Sequence, residues 1–431
     1  MTLKEKLEKR SAKVGVIGLG YVGLPLAVEF AKAGFDVTGI DLNEEKVRLL
    51  NEGVSYVQDV SEGELREAVK SGRLRGVTGF DAIGGLDSIS ICVPTPLSKT
   101  GDPDISHIHA VVQEIQARMK PDKLVILDST TYPGTTDEVI LPMLSQEGLR
   151  VGVDFYLAFS PERVDPGNPV YKTKNIPKVV GGVTAACTEH AMLLYGACMD
   201  RLVPVSSTMV AEMVKLLENT FRSVNIGLVN EIALMSHALG INVWEVIDAA
   251  ATKPFGFMPF YPGPGLGGHC IPIDPFYLSW RARQYGFEAR FIELAGQING
   301  YMPNFVVSRI ADALNDRVKS IRGSRILALG VAYKANTNDI RESPALDVID
   351  LLLKRGAIVE ACDSHLRLED VETVGCPLRE LTAETLREAD LVVILTNHED
   401  FDYEMILKES ADIVDTRNAL KGFTSKKIHL L

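Results

Sequence analysis

The chain has 431 residues, of which 46% are hydrophobic and 24% are charged, the balance of a globular protein with two or three domains. The formal net charge of −12 and the lack of a long basic run argue against nucleic acid as a partner. No apolar run approaches the roughly 18 residues that a membrane-spanning helix needs. The charged N-terminus also lacks the apolar segment of a signal peptide, so we expect neither a membrane partner nor a secreted product.

The cysteines give information about compartment and metal content. They lie at positions 92, 187, 198, 270, 362 and 376 and form no C-x-x-C pair. Such scattered positions are typical of reduced thiols and do not suggest a disulfide framework or a zinc site. We therefore expect a cytoplasmic protein without a bound metal.

Residues 13 to 42, KVGVIGLGYVGLPLAVEFAKAGFDVTGIDL, predict a dinucleotide-binding unit. An apolar strand is followed by a glycine turn, a helix through Ala33 and a second strand that ends at Asp41. The glycines of the turn permit a tight bend, close approach to a pyrophosphate and close packing of helix and strand, and they are Gly18, Gly20 and Gly23. Asp41 suits hydrogen bonds to a ribose diol and would repel a 2′-phosphate, which favours NAD over NADP.

Three further strand–loop units come next, in the sequences SISICVPTP, KLVILDSTTYPGTT and DFYLAFSPERVDPG. We expect their strands to end near Val93, Leu127 and Phe159. Ligands bind outside the carboxyl ends of the strands in open parallel sheets, so these loops should share one cleft with the glycine turn. The predicted NAD contacts are Gly18, Gly20, Tyr21, Val22, Gly23, Asp41, Lys46, Pro94, Thr95 and Thr130.

From about residue 204 to 305 the pattern becomes helical. The run VAEMVKLLENTFRSVNIGLVNEIALMSHALGI has apolar residues at steps of three and four, which predicts a long amphipathic helix. Lys215 and Asn219 are four residues apart and therefore lie on one face, one turn from each other. A solvated Lys–Asn pair is the ordinary interpretation of that spacing. The helix is too apolar for a surface element alone, which favours a domain-bridging core helix with a subunit contact.

The last part, from about residue 320, repeats the order strand, turn, helix, strand, acid. The turn keeps one of the three glycines, Gly330, and contains Tyr333 and Lys334 instead. We interpret it as a second, degenerate three-layer α/β domain that could bind a mononucleotide without the full fingerprint. Lys334 and Arg417 are its predicted phosphate ligands, and ordinary surface charges are the alternative.

The stretch PGPGLGGHCIPIDPF, residues 262 to 276, places a thiol and a carboxylate four residues apart behind several glycines. A cysteine in such a loop is commonly a small buried apolar residue. We expect Gly267 and Gly268 to let a bulky ligand approach the backbone, and Asp274 to turn toward the same space as Cys270.

With NAD nearby, a thiolate in this loop suggests oxidation of an aldehyde. Addition of the thiol to the carbonyl, loss of a hydride and hydrolysis of the resulting thioester would complete the reaction. Lys215 and Asn219 would supply a positive charge and an N–H donor to the developing oxyanion. Lys215 would also favour the thiolate of Cys270.

The chain resembles the nucleotide-sugar 6-dehydrogenases, the family of UDP-glucose and GDP-mannose dehydrogenases, over essentially its whole length. The motifs that carry the resemblance are GLGYVGLPLA, STTYPGTT, SPERVDPGNP, EMVKLLENTFR, GPGLGGHCIPIDP and AYKANTNDIRESPA. Within the family, IPKVVGG at 176 to 182 and the pair His269–Cys270 are most similar to the UDP-N-acetylglucosamine 6-dehydrogenase branch. The UDP-glucose branch usually has serine before the cysteine, and the UDP-N-acetylmannosamine branch shares the His–Cys pair but differs after PERV.

The resemblance implies a four-electron oxidation of the sugar C6 alcohol to a carboxylate, with two NAD+ consumed. It makes Cys270 the nucleophile and gives oxyanion stabilisation, water activation and acid/base roles to Lys215, Asn219, Asp274, Thr130 and Glu162. The implied contacts to the UDP-sugar are Glu162, Arg163, Lys215, Asn219, Lys253, Gly267, His269, Lys334 and Arg417. Lys253 stands where relatives often have arginine, so it keeps the charge but loses the bidentate fork. For His269, an acetamido contact and a structural hydrogen bond both stay open.

The predicted architecture is α/β, with two Rossmann-like three-layer domains joined by a central helical domain that contains a long helix. We assign residues 1–203 to NAD binding, 204–305 to a helical dimerisation and catalytic domain, and 306–431 to UDP-sugar binding. The expected assembly is a homodimer or a higher homo-oligomer.

Two alternatives remain from the sequence. A two-electron NAD dehydrogenase of the β-hydroxyacid type shares the glycine turn and the Lys–x–x–x–Asn pair, but it needs neither Cys270 nor the C-terminal α/β domain. A non-catalytic nucleotide-sugar or NAD sensor could keep the glycine turn and lose the chemistry. The presence of Lys215, Asn219, Cys270 and Asp274 argues against the sensor.

Overall fold

The computed structural model describes residues 1–57, 59–98, 102–165, 168, 170–268, 270–367 and 371–431. They form two compact units: Met1–Glu218 with Trp280–Phe287, and Asn219–Ser279 with Glu288–Leu431. Within these described ranges, no helix is both long enough and apolar enough to cross a lipid bilayer. The division into two units does not test the predicted boundaries near residues 203 and 305, which stay a prediction.

The first unit is built on an eight-stranded sheet in the order β3-β2-β1-β4-β5-β6-β7-β8. Its strands are β1 Lys13–Ile17, β2 Asp36–Ile40, β3 Leu74–Val77, β4 Ser88–Ile91, β5 Lys123–Leu127, β6 Phe155–Phe159, β7 Lys178–Gly182 and β8 Leu202–Pro204. All neighbouring strands are parallel except β6 and β7, which pair in antiparallel fashion. The chain order changes direction between β1 and β4, as in doubly wound folds that bind nucleotides.

The helices of the first unit cover both faces of this sheet. The α-helices are α1 Leu3–Glu8, α2 Gly23–Ala33, α3 Glu44–Glu52, α4 Glu62–Lys70, α5 Ser106–Ala117, α6 Leu141–Leu144 and α7 Ala185–Tyr195. Short 3₁₀ segments lie at Asp81–Gly85 and Gln146–Gly148, and a π-helical turn lies at Thr135–Ile140. Strand side chains alternate between faces. Leu124 and Ile126 of β5 accordingly join one apolar cluster, while Val125 and Leu127 join another. The continuous apolar runs of the sequence are thus strands buried on both faces.

One predicted strand end differs from the structure. β4 ends at Ile91, two residues before the predicted Val93. The carbonyl of Val93 accepts a hydrogen bond from the Ser129 hydroxyl at 2.8 Å instead of joining the sheet. The prolines at 94 and 96 then keep the chain out of the ladder.

The predicted long helix is present as α8 Thr208–Leu239. Along it, Leu216 is buried, whereas Leu217, Phe221 and Leu228 are exposed. The apolar side chains therefore lie on more than one face. The helices between α8 and the last sheet are α9 Val243–Ala251, α10 Asp274–Gln284 and α11 Arg290–Asn315.

The second unit contains a five-stranded parallel sheet in the order β10-β9-β11-β12-β13. Its strands are β9 Arg325–Leu329, β10 Ile358–Cys362, β11 Leu391–Ile394, β12 Ile413–Asp415 and β13 Ile428–Leu430. Its helices are α12 Pro344–Lys354, α13 Val371–Val374, α14 Ala383–Glu388 and α15 Tyr403–Glu409. Alternate residues of β11 join two separate apolar clusters, so this sheet is also covered on both faces. The predicted α/β architecture with two layered sheets and a central helical region is confirmed.

Candidate active site

The turn between β1 and α2 has the geometry that the three glycines predict. Gly18 has φ +91°, and a Cβ there would lie 2.6 Å from the Cys92 carbonyl oxygen. A Cβ at Gly23 would lie 1.8 Å from the Gly18 carbonyl oxygen. A Cβ at Gly20 would meet no protein atom within 4 Å. Gly18 and Gly23 are therefore required by the turn itself, while Gly20 faces open space, where a ligand can approach the backbone.

The N-terminus of α2 is suited to a phosphate. Val22 occupies the N-cap position and gives no side-chain hydrogen bond, and the first turn contains no acidic residue. The Leu24 N–H donates to the Gly20 carbonyl and Pro25 has no N–H, so it is chiefly the helix dipole that favours an anion at this point. These residues fit the pyrophosphate of a dinucleotide.

Asp41 is fixed directly after β2, beside the glycine turn. Its carboxylate accepts hydrogen bonds from the backbone N–H of Leu19 at 2.8 Å and of Asn43 at 2.9 Å. The side chain keeps 13% exposure, and the ammonium of Lys46 lies 3.8 Å from it. Carboxylate oxygens accept more than one hydrogen bond each, so Asp41 can still accept from a ribose diol.

Tyr56 adds a contact to this turn that sequence reasoning missed. Its hydroxyl donates to the Leu19 carbonyl at 3.0 Å. Burial raises the pKa of Tyr56, and the charge of Asp41 raises it further, so the phenol stays a neutral donor. No motif marks this tyrosine, because the contact joins residues 37 positions apart.

The loops after β4 and β5 contact each other as predicted for one cleft. The Thr95 hydroxyl donates to the Thr130 carbonyl at 2.7 Å. Ser129, next to Thr130, donates to the carbonyls of Ile91 and Val93. The first unit therefore brings the predicted Thr95 and Thr130 together, with Pro94 adjacent in the same loop.

The loop after β6 holds Glu162 in a defined position. One carboxylate oxygen accepts from the backbone N–H of Arg163 at 2.7 Å and of Val164 at 3.0 Å. The other lies 3.3 Å from the ammonium of Lys178. Arg163 pairs with Glu218 and donates to the Pro177 carbonyl, so its guanidinium already has protein partners.

The second unit brings together three of the residues predicted around the thiol. The Asn219 amide donates to the Asp274 carboxylate at 2.5 Å. The backbone N–H of Asp274 donates to the Cys270 carbonyl at 2.8 Å. Asp274 is buried, whereas Cys270 is partly exposed. Lys215, one helical turn before Asn219 in α8, belongs to the first unit and is itself largely buried.

The glycines before Cys270 pack against the loop after β9. A Cβ at Gly267 would lie 2.8 Å from the Glu342 carbonyl oxygen, and Gly268 has φ +90° with the Tyr333 ring 2.9 Å from its Cβ position. The Gly268 N–H donates to the Arg341 carbonyl at 3.3 Å. Protein atoms therefore fill the space that the sequence assigned to a ligand at these two positions.

Arg417 also reaches this glycine-rich stretch. Its Nη1 lies 2.6 Å from the Cβ position of Gly263, and its Nε donates to the Leu395 carbonyl at 2.8 Å. Burial lowers the pKa of Arg417 to about 10, and the carboxylate of Asp415 opposes the shift. The guanidinium is thus a partly desolvated cation beside the thiol loop.

The remaining predicted contacts lie in surroundings of different kinds. Lys253 is exposed, with its ammonium 5.1 Å from the Phe255 ring centre. Lys334 is half-buried in the loop after β9. Tyr21 is exposed in the glycine turn. His269 lies outside the described residues.

Comparison with known proteins shows the family to which the chain belongs. Models of the UDP-glucose/GDP-mannose dehydrogenase family match residues 12–199 as its NAD binding domain, 209–301 as its central domain and 327–422 as its UDP binding domain. The chain belongs to this family. It is an NAD-dependent nucleotide-sugar dehydrogenase, and the predicted cofactor NAD is confirmed.

Individual relatives match along nearly the whole chain. A UDP-N-acetyl-D-mannosamine dehydrogenase of Pyrococcus horikoshii is 35% identical, covering 95% of this chain and 96% of its own. A UDP-N-acetyl-D-glucosamine 6-dehydrogenase of Pseudomonas aeruginosa is 36% identical, covering 85% and 88%. A solved structure of the Pyrococcus horikoshii UDP-ManNAc dehydrogenase is 34% identical, with a TM-score of 0.89 and coverage of 97% of this chain and 98% of that one.

A buried charge cluster behind Glu162 was not predicted for this dehydrogenase. Lys178 of β7 lies 3.0 Å from Asp128, and the Tyr195 hydroxyl donates to both Asp128 oxygens at 2.7 and 2.9 Å. The motif IPKVVGG contains Lys178, but nothing local in it identifies which carboxylates the lysine meets.

Among the residues that the structure describes, one group of side chains has the spacing of a metal site: His365, His398 and Asp400. Both ring nitrogens of His398 are already used. Its Nε2 lies 3.0 Å from the Asp363 carboxylate, and its Nδ1 accepts from the Asn336 backbone N–H at 3.1 Å. A metal ligand needs a free nitrogen lone pair, so His398 in this arrangement is not available as a ligand.

Proposed function

We propose that this enzyme oxidises the C6 hydroxymethyl group of a UDP-N-acetylhexosamine to a carboxylate, with reduction of two NAD+. The observation that supports it most strongly is the group formed by Asn219, Asp274 and the Cys270 backbone in one unit. A two-electron alcohol dehydrogenase does not need a partly exposed cysteine whose backbone carbonyl accepts from the N–H of a buried aspartate. A four-electron reaction needs such a thiol to retain the aldehyde as a covalent adduct.

The chemistry of the thiol is determined by its surroundings. The Cys270 sulfur adds to the C6 aldehyde, a carbon–sulfur bond forms, and the carbonyl oxygen takes up negative charge. The ammonium of Lys215 and the amide of Asn219 stabilise that oxyanion, as preorganised donors do in acyl-transfer enzymes. Asp274 fixes the orientation of the Asn219 amide through their 2.5 Å hydrogen bond.

Hydrolysis of the thioester completes the reaction. Water adds its oxygen to the acyl carbon, the carbon–sulfur bond breaks, and the electron pair stays on the Cys270 sulfur. The products are the sugar carboxylate, the thiol and one proton. We assign Glu162 to receive the proton from water, and Thr130 and Asp274 to position that water.

The first unit holds the cofactor. Gly18, Gly20, Gly23 and the N-terminus of α2 receive the pyrophosphate, and Asp41 accepts from the adenosine ribose. The contacts assigned around them are Tyr21, Val22, Lys46, Pro94, Thr95 and Thr130. When bound, each of two NAD+ molecules in turn would accept one hydride, the first as the alcohol becomes the aldehyde and the second as the covalent adduct becomes the thioester.

The second unit holds the UDP moiety. Lys334 and Arg417 are cations at the carboxyl ends of β9 and β12, where a parallel sheet presents its loops to ligands. We assign them to the diphosphate and the ribose. Arg163, Lys253 and His269 are assigned to the sugar, together with Glu162, Lys215 and Asn219.

UDP-N-acetylglucosamine is the substrate we propose first, because the sequence around Lys178 and Cys270 is most similar to that branch. The second candidate is UDP-N-acetylmannosamine. The argument for it is that the Pyrococcus horikoshii UDP-N-acetyl-D-mannosamine dehydrogenase matches a larger share of this chain than the Pseudomonas aeruginosa relative does. NADH formation with UDP-GlcNAc, UDP-ManNAc, UDP-Glc and UDP-GalNAc separates them by kcat/KM. Preference for UDP-Glc would contradict the proposal, and binding of NAD without turnover on any sugar would establish a sensor.

Cys270→Ser tests the covalent route. We expect this variant to bind the sugar nucleotide and to form little or no acid, measured as uronic acid by mass spectrometry. The wild type should form two NADH for each sugar that it oxidises, as the four-electron route requires. Cys376→Ser makes the same change at a buried thiol outside the site and should keep the wild-type stoichiometry. Near-normal acid production by Cys270→Ser would contradict the thioester.

We also propose a homodimer in the cytoplasm. In the second unit, α8 and α11 expose Phe221, Leu228, Met235, Phe291, Leu294 and Tyr301. Apolar patches of this kind mark protein interfaces, and a second copy is the occupant we propose. All six cysteines are free thiols, which suits a reducing compartment. Light scattering should give a dimer mass for the wild type and a lower mass for Leu228→Asp, and a monomeric wild type would refute the dimer.

A further inference from the structure

Lys178 is a buried cation between two carboxylates of the first unit. Its side chain is 4% exposed, and its Nζ lies 3.0 Å from Asp128 and 3.3 Å from Glu162. The Pro161 carbonyl lies 3.5 Å away. A buried ammonium is costly unless it is paired, so its position at this point of β7 needs a reason.

In this cluster, the two carboxylates stabilise the protonated form of Lys178, and the ammonium in turn stabilises the ionised form of Asp128. Burial alone would lower the pKa of Lys178, but Asp128 and Glu162 outweigh burial and raise it, so the ammonium stays protonated. Burial raises the pKa of Asp128, against the opposing effects of Lys178 and the Tyr195 hydroxyl. The Tyr195 hydroxyl and the buried Cys92 thiol are also titratable and interact with these charges, and burial raises the pKa of both.

Two different supports fix the two oxygens of Glu162. Oε1 accepts from the backbone N–H groups of Arg163 and Val164, which belong to the same loop. Oε2 accepts from the ammonium of Lys178, which lies on a different strand of the sheet. The loop therefore fixes one end of the carboxylate, and the lysine fixes its rotation.

The support of Lys178 extends into the core. The Tyr195 hydroxyl at the end of α7 donates to both oxygens of Asp128, and Asp128 in turn contacts Lys178. Tyr195 and Asp128 are fully buried, and the Tyr195 ring stacks on Phe30 of α2. A chain of contacts thus runs from the packed core through Asp128 and Lys178 to Glu162.

We propose that Lys178 is a positioning residue for thioester hydrolysis, acting by holding the Glu162 carboxylate toward the attacking water. This inference rests on the proposed function, in which Glu162 takes the proton of that water. The step itself is unchanged: the water oxygen bonds to the acyl carbon, the sulfur leaves with its electron pair, and no electron is transferred. Lys178 does not touch the substrate and does not exchange a proton.

The test compares Lys178→Met with Glu162→Gln by rapid mixing with UDP-GlcNAc and NAD+. In both variants we expect the first-turnover NADH to form at nearly the wild-type rate. Steady-state kcat should fall about 10- to 100-fold, the scale of a misplaced catalytic group. KM should fall along with kcat, so that kcat/KM stays nearly unchanged, and the acyl adduct on Cys270 should accumulate in intact-protein mass spectra.

Controls separate positioning from folding. Lys123→Met removes another buried lysine of the first unit, whose ammonium donates to the Ile83 and Leu86 carbonyls. It should lower the melting temperature without accumulation of the acyl adduct. Lys178→Arg keeps the cation and should recover part of the hydrolysis rate. Lys178→Gln, which keeps a hydrogen-bond donor, replaces the methionine variant if that one does not fold.

The results separate the positioning role of Lys178 from the thioester mechanism on which that role rests. Accumulation in Glu162→Gln but not in Lys178→Met or Lys178→Gln would overturn the positioning role and leave the mechanism intact. No accumulation in Glu162→Gln would overturn both assignments to hydrolysis. Acid production by Cys270→Ser would overturn the thioester itself.

Discussion

The two α/β units each contain a strand, a turn, a helix, a second strand and an acid, yet their turns have different structures. Both begin with a glycine in the left-handed region, Gly18 at φ +91° and Gly330 at φ +77°. A Cβ would lie 2.6 Å from a backbone oxygen at Gly18 and 2.3 Å from one at Gly330. The first step out of the strand is therefore the same in both units, and the difference lies in the rest of the turn and in the helix after it.

The two helices begin in different chemical environments. α2 starts at Gly23, five residues after Gly18, and has no side-chain cap. α12 starts at Pro344, and the Ser343 side chain at its N-cap accepts from the Ala345 N–H. In the first helix a backbone carbonyl, that of Gly20, accepts from the Leu24 N–H and no side chain caps the end, whereas a side chain caps the second. The longer turn of the second unit packs instead against Gly267 and Gly268.

The two acids complete the contrast. Asp41 keeps 13% exposure and accepts from the Leu19 N–H, with oxygen capacity left for a ribose. The side chain of Asp363 has no exposure and accepts from the N–H of Val331 at 2.7 Å, of Ala332 at 3.1 Å and from His398. The same position after the second strand thus serves a ligand in one unit and the turn itself in the other. Exposure of the acid, rather than its presence, decides which.

The largest expected effect comes from the glycines of the first turn. Gly23→Ala should abolish NAD binding and lower the melting temperature, because its Cβ would lie 1.8 Å from the Gly18 carbonyl oxygen. Gly20→Ala should leave the melting temperature of the free protein nearly unchanged and still weaken NAD. Thermal melts with and without NAD+ measure both effects. Equal destabilisation of the free protein by the two variants would show that Gly20 is also a packing residue.

The next largest effect comes from removing Asp41 or Asp363, which should affect NAD affinity in one case and stability in the other. Asp41→Ala should weaken NAD by about 10- to 100-fold, since hydrogen bonds to a charged group contribute about 1.5–3 kcal/mol. Asp363→Ala should leave NAD affinity unchanged and cost more stability, because it leaves buried N–H groups without an acceptor. Titration calorimetry with NAD+ and chemical denaturation give the two quantities. An Asp363 variant that loses NAD, or an Asp41 variant that does not, would remove the distinction.

The sequence predicts much of the fold because its signals are local. The apolar runs of β1, β5 and β6, the glycine turn and α8 can be recognised from period and composition within short windows. The family motifs place Cys270, Asp274 and Asn219 in one predicted site. Their contacts agree with that grouping, because Asp274 opens α10 only four residues after Cys270.

The missed features all depend on contacts between distant parts of the chain. Lys178 meets Asp128 across 50 positions, and a single lysine on a strand gives no sign of a buried partner. The sequence predicts that Gly267 and Gly268 make room for a ligand, but the Tyr333 ring and the Glu342 carbonyl lie there. A glycine indicates that something comes close to the backbone and does not indicate what.

The smallest expected effect concerns the pH dependence of the second unit. Burial alone would raise the pKa of Asp363, but the hydrogen bond from His398 and the backbone N–H groups of Val331 and His365 outweigh it and lower the pKa. A carboxylate with a lowered pKa in the folded state stabilises the protein above its ordinary pKa of about 3.9, and this stabilisation is lost as the pH falls through the folded value. The melting temperatures of wild type and Asp363→Asn should therefore differ by a constant amount from pH 5 to 7 and converge below about pH 4. Asp400→Asn, at a half-exposed carboxylate nearby, should change the melting temperature little at any pH. A difference for Asp363→Asn that persists unchanged at pH 3 would mean that its bonds to the turn stabilise the protonated acid as well as the carboxylate.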